Sequence, residues 1–156
     1  MRSRNLVSQL QRLHDLFNKV DVACADDFAM RSHWAKYLCI LSAGFLEEAI
    51  SEVYGEYATR SANKFVADYT NSVLSKIQNP NAQKFIETAR RFHKTWGEEL
   101  EVFLDSNGRR DAIDSIMANR HQIAHGKVSG ITLVRIREYL DKSVEVIDFI
   151  ENQCGL

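Results

Sequence analysis

The sequence predicts an all-α fold, an antiparallel helical bundle of about five or six helices. Apolar residues recur at three- and four-residue spacing, strand-like alternation is absent, and a single proline and seven glycines leave few places for turns. At 156 residues the chain suits one core rather than two, so residues 1–156 read as a single domain. Hydrophobic residues at 45% and charged residues at 26% place it among globular rather than disordered chains.

Leu6, Leu10, Leu13, Phe17 and Val20 form one stripe, so the first helix is expected from about Asn5 to Cys24. Asp26 and Asp27 suit the start of the second, which continues to about Ala58 with Trp34, Tyr37, Leu38, Leu41 and Phe45 on one side. Gly44 and Gly55 mark places where this long helix bends or admits a close neighbour. Ser61 is the expected cap of a third helix carrying Phe65, Tyr69, Val73 and Ile77, ended by Asn79-Pro80. The fourth is expected from about Asn81 to Leu104, with Phe85, Phe92, Trp96 and Phe103, loosened at Gly97. Asp105-Ser106-Asn107-Gly108 is the clearest turn. A fifth helix then runs from Arg110 to about His125 and closes on Gly126 as a left-handed residue. Thr132 caps the last helix, which points Leu133, Ile136, Leu140, Ile147 and Ile150 inward.

Charge and cysteine usage narrow the function classes. The net charge of −1 argues against a chain-wide grip on nucleic acid. The stretch Arg109 to Arg137 nevertheless holds six basic residues against two acidic ones, and this local patch suits transient contact with a phosphate backbone. Arg109, Arg110 and Lys127 are its candidate substrate-binding residues; the alternative is that they only solvate helix faces. Cys24, Cys39 and Cys154 form no C-x-x-C pair, which suits a reducing, cytoplasmic compartment. The basic start Met1-Arg2-Ser3-Arg4 leads into an amphipathic helix rather than an apolar signal segment, and the uncharged run from Tyr37 to Leu46 is about half of a membrane span.

One helix end does not fit a bland bundle. On an ideal helix Ile113, Ile116, Met117, Ile123 and Ala124 share one side, and Arg120 falls in the middle of them. A guanidinium there must be paired, or open into a cleft or subunit interface. The alternative is a buried Arg–carboxylate pair that braces the core. His121 and His125 are four apart on one flank, near Asp114, so two imidazoles can address one site. Two such histidines could begin a metal site, but zinc takes three or four protein ligands and no third is close in sequence; neither a metal nor a cofactor is expected.

The run Arg120-His121-Gln122-Ile123-Ala124-His125-Gly126 resembles the R-x4-H motif of the HEPN superfamily, and its Ile-Ala-His-Gly ending looks most like the RiboL-PSP-HEPN branch. The resemblance extends to the long second helix, the turn before the motif helix and the run Gly130-Ile131-Thr132. It implies a HEPN-like bundle and metal-independent ribonuclease activity, with two motifs meeting at a homodimer interface. It further implies RNA as substrate and, for a toxin or phage-defence protein, an antitoxin as partner. The alternative within the family is a catalytically silent domain that binds RNA, nucleotide or a partner protein, and outside it a purely structural helical interaction domain.

RNA carries its own nucleophile, the 2′-hydroxyl, so cleavage needs a base, an acid and a cation. His125 suits acid/base work, Arg120 would hold the phosphate and stabilise its charge, and His121 would assist. On an ideal helix Arg120 and His125 are about 140° apart, which favours a site shared across a two-fold axis. Glu48, on the apolar side of the second helix, is the expected orienting partner for Arg120, unless that helix simply emerges into solvent there.

Overall fold

A computed structural model describes residues 3–156; the expected basic start at Met1 and Arg2 lies outside the described residues. Among the described residues there are seven helices and no strand. Helix α1, Arg4–Ala23, is capped by Ser3 and buries the single stripe Leu6, Leu13, Phe17 and Val20. Helix α2, Phe28–Ser61, begins on the Asp27 carboxylate, which accepts the Met30 N–H. At 34 residues it is the axis of the bundle, packed along α1, α3, α6 and α7, and it is buried on more than one side for that reason.

Helix α3, Lys64–Leu74, is capped by Asn63 rather than Ser61, because α2 runs on through Ser61 and the chain becomes extended only at Ala62. Gly55 admits α3: a Cβ there would stand 2.5 Å from Asn71 Oδ1. Gly44 does not serve that purpose, since no described neighbour approaches within 4 Å of such a Cβ.

The expected fourth helix is two, α4 Ala82–Phe92 and α5 Lys94–Leu104. The break lies at His93, whose backbone is extended (φ −151°, ψ 130°), and the chain folds back so that Gly97 packs on Arg90. A Cβ at Gly97 would meet Arg90 Cβ at 2.7 Å, so this glycine is a contact point between helices rather than a loose point within one. Folding back lets both short helices bury a face: Phe85, Ile86 and Ala89 on one, Gly97, Leu100 and Leu104 on the other.

Helix α6, Arg109–Ala124, follows a turn with Asn107 and Gly108 at positive φ, and α7, Leu133–Gln153, is capped by Thr132 as expected. These two pack on each other and on α2. All three cysteines are free and buried, and no helix among the described residues is long and apolar enough to cross a membrane.

Candidate active site at the end of the motif helix

Helix α6 is anchored at its start and middle and free at its end. Ala112, Ile113, Ile116 and Met117 are buried, Arg120 and Ile123 are half-buried, and Ala124 through Val128 are exposed. The apolar stripe expected to enclose Arg120 therefore stops there, and the last turn projects beyond the core. Gly126 (φ 66°) ends the helix in a Schellman arrangement, with Gly126 N–H donating to the Ile123 carbonyl at 3.1 Å and Lys127 N–H to that of Gln122 at 2.9 Å. The chain then returns to α6 through Ser129, whose hydroxyl bonds Asn119 Oδ1 at 2.7 Å. Asn119 in turn donates to the Ser115 carbonyl at 2.8 Å. The projecting turn is thus braced from both sides.

Arg120 is positioned through its backbone. Cys39 on α2 donates its thiol to the Ile116 carbonyl at 3.5 Å, and the Arg120 N–H points at the same sulfur. Burial pushes this thiol up to about 12, with the Arg120 N–H acting weakly in the other direction, so Cys39 is a neutral fastener and not a nucleophile. Flanking Cys39, Tyr37 and Ile40 are exposed on the outer face of α2. No pattern in the sequence marks Cys39 for this role, because the contact spans 77 positions.

The Arg120 guanidinium pairs with no carboxylate among the described residues. Glu48 does not supply one. It accepts from Asn5 Nδ2 at 2.9 Å, beside Glu52, which accepts from the same nitrogen at 2.6 Å and from Ser3 Oγ. Arg120 meets α2 at the level of Cys39, and Glu48 is nine residues further along, about 13 Å of helix axis away. Glu48 is also exposed and, nine residues from Cys39, lies about 180° round α2, so it is on neither the face nor the level that Arg120 meets.

The expected basic patch also resolves differently. Arg109 is buried: its Nε donates to Glu145 at 2.7 Å, its Nη1 to Ser106 Oγ at 2.8 Å, and its guanidinium lies 3.9 Å from the centre of the Phe103 ring. It fastens the turn before α6 to α7. Arg110 pairs with Asp105 at 2.6 Å. Both sit at the start of α6, some 20 Å from His125 by the helix rise, and so are removed from the motif. Arg135 pairs with Glu138 and Arg137 with Asp21. Of the six cations in this stretch, the two without a carboxylate among the described residues are Arg120 and Lys127, on either side of His125.

His121 and His125 are both exposed, and their rings stand 4.4 Å apart between centres at 58°. Asp114 does not join them; it accepts the Ala82 N–H at 2.8 Å and holds the start of α4. The site is therefore two adjacent imidazoles, an arginine without a carboxylate partner one turn before the helix end, and an exposed lysine beyond it.

The RiboL-PSP-HEPN family model matches residues 2–155, nearly the whole chain. The chain belongs to that family. It is a HEPN-type domain, a group whose members are in general ribonucleases or proteins associated with RNA and nucleotides. Searches of curated proteins and of solved structures return no match. In this HEPN domain the motif helix is α6, and Arg120 and His125 are the two ends of its R-x4-H run.

Proposed function

We propose that this HEPN domain is a metal-independent endoribonuclease, with a composite active site at a homodimer interface, acting in the cytoplasm as a toxin or in phage defence. The observation that carries the reading is Arg120: a half-buried guanidinium with no carboxylate among the described residues, next to a pair of exposed imidazoles. An arginine at such a place is suited to an anion from outside the fold.

In the proposed reaction one imidazole takes the proton of the 2′-hydroxyl, and the oxygen attacks the adjacent phosphorus. Arg120 stabilises the added negative charge on the phosphoryl oxygens, and a second imidazole, protonated, gives its proton to the departing 5′-oxygen. The products are a 2′,3′-cyclic phosphate and a 5′-hydroxyl. No metal is needed, because RNA supplies the nucleophile, and two imidazoles fall short of the donor set that zinc takes.

Sharing of the site between two copies is supported by two features. Arg120 and His125 diverge by about 140° on α6, so one phosphate is reached more easily by an arginine from one copy and a histidine from the other. The exposed apolar residues Tyr37, Ile40 and Ala124, on α2 and the end of α6, suit burial against a second copy. The test is incubation of purified protein with a mixed RNA pool in excess EDTA, with end-group analysis. Cleavage leaving cyclic phosphate, and its loss in His125→Ala, is expected; binding without cleavage by the unaltered protein would favour the silent-domain alternative.

A further inference from the structure

Helix α3 wears its amphipathicity outward. Phe65, Val66, Tyr69 and Val73 are 85%, 51%, 73% and 38% exposed, and on an ideal helix they share an arc of about 100°. It is attached to α2 along its other side: Ala67 and Leu74 are its buried residues, with Asn71 set against Gly55. An eleven-residue helix that turns its widest apolar face to water is not explained by the bundle's own packing.

Beside this face lies a trough of about 810 Å³ between α3, α4 and the end of α2. Its lining includes the aliphatic residues Val73, Leu74 and Ile77 and the rings of Tyr57, Tyr69 and Phe92. Three cations also line it, Lys76, Lys84 and Arg91, and none of them pairs with a carboxylate among the described residues. No residue of the motif helix contributes.

We propose that this trough and the outer face of α3 form the docking site for an acidic segment of a partner polypeptide, one that presents apolar side chains at helical spacing. Of the three rings in the lining, Phe92 is stacked on Tyr54 and Tyr57 stands edge-on to Phe92 and Trp96, so Tyr69 alone is left open, whereas single-stranded RNA is held on successive open ring faces. Three unpaired cations at its wall call for carboxylates on the incoming segment. A second copy of this chain docked by two-fold symmetry would bring another Lys76, Lys84 and Arg91 against these, which is repulsive. A small anion filling the trough would leave Phe65, outside it, still exposed.

The proposal stands independently of the ribonuclease reading. The test is selection of binders to the full-length protein from a displayed library of random sixteen-residue peptides, with the enriched peptides then made and measured by fluorescence anisotropy. The expected winners are net negative with apolar residues three and four apart, and bind at least about tenfold more weakly to Tyr69→Ser and to Lys84→Glu, each shown folded by circular dichroism. Lys84→Glu should in turn favour peptides whose acidic residues are changed to lysine. Winners without acidic bias, or winners indifferent to both substitutions, would overturn the proposal. So would displacement of the selected peptides by a labelled oligouridylate or by ATP, each with affinity reduced by the same two substitutions.

Discussion

The imidazole rings of His121 and His125 face each other 4.4 Å apart on the last turn of α6, both open to solvent. The pair is held in place by a braced helix end: Gly126 and Lys127 donate to the Ile123 and Gln122 carbonyls, and Ser129 ties the following chain back to Asn119. Under the proposed reaction His125→Ala lowers RNA cleavage by about 10²-fold or more while affinity changes little, since Arg120 remains to hold the backbone. His121→Ala is expected to cost less, because it removes the assisting ring. Single-turnover cleavage and RNA binding on the same preparations check this. Wild-type cleavage rates in both variants would remove the histidines from the chemistry.

Arg120→Ala is expected to lower both affinity and cleavage, since the guanidinium is assigned to the phosphate before and during the reaction. Its melting temperature should stay close to wild type, because no carboxylate among the described residues is left unpaired by the change. Glu48→Gln makes the contrast: with Glu48 engaged by Asn5 and about 13 Å along α2 from the Arg120 level, it should leave cleavage unchanged. A shared loss of activity in Arg120→Ala and Glu48→Gln would restore the coupling that the geometry denies.

What was legible in the sequence was local chemistry. Gly126 as a left-handed terminator, the helix start at Asp26-Asp27, Thr132 as a cap and the Asn107-Gly108 turn follow from short-range chemistry, and each is found. What was not legible was set by distant partners. The break at His93 has no breaker residue; it arises because α4 and α5 gain by packing on each other through Gly97. Arg109 read as a surface cation because its partner Glu145 is 36 residues away. Glu48 was expected on the apolar side of α2 but is exposed, about 180° round from Cys39, and periodicity carries no information about where on that helix another element crosses.

Arg109 offers a stability prediction separate from activity. Arg109→Ala removes a charge-assisted bond to Glu145, bonds to Ser106 and the Phe103 carbonyl, and the stacking over Phe103, and should cost about 2 kcal/mol. Arg110→Ala breaks one more exposed pair with Asp105 and should cost no more than about 1 kcal/mol. Urea unfolding of the two variants measures the difference directly. Equal losses would mean that the buried cluster around Phe103 contributes nothing beyond an ordinary surface pair.

Cys39 and Cys154 are both pushed up to about 12, chiefly by burial. A thiol whose folded value is raised binds its proton more tightly in the native state. Its contribution is therefore whole below the unfolded value of 9.0 and is lost as pH rises from there toward 12. Stability should fall over that window, and at pH 8 both thiols should react with a disulfide reagent only as fast as the chain opens. Rapid labelling of Cys39 at pH 8 in the folded protein would contradict its place beneath Arg120.

The shared-site geometry makes a prediction that no single-copy site can imitate. If each centre takes Arg120 from one copy and His125 from the other, a heterodimer of Arg120→Ala and His125→Ala chains has one centre with both losses and one with neither. Random exchange puts half the protein into such heterodimers, each with one of two centres intact, so an equal mixture of two inactive variants should recover about a quarter of wild-type activity per chain. Were both residues drawn from the same copy, every centre in the mixture would lack one of them and no activity would return. Light scattering across dilution must accompany the assay, with differently tagged wild-type chains used to confirm that subunits exchange. Confirmed exchange with no recovery would place each centre within one copy, and a monomer that cleaves at full rate at every concentration would remove the interface from the mechanism altogether.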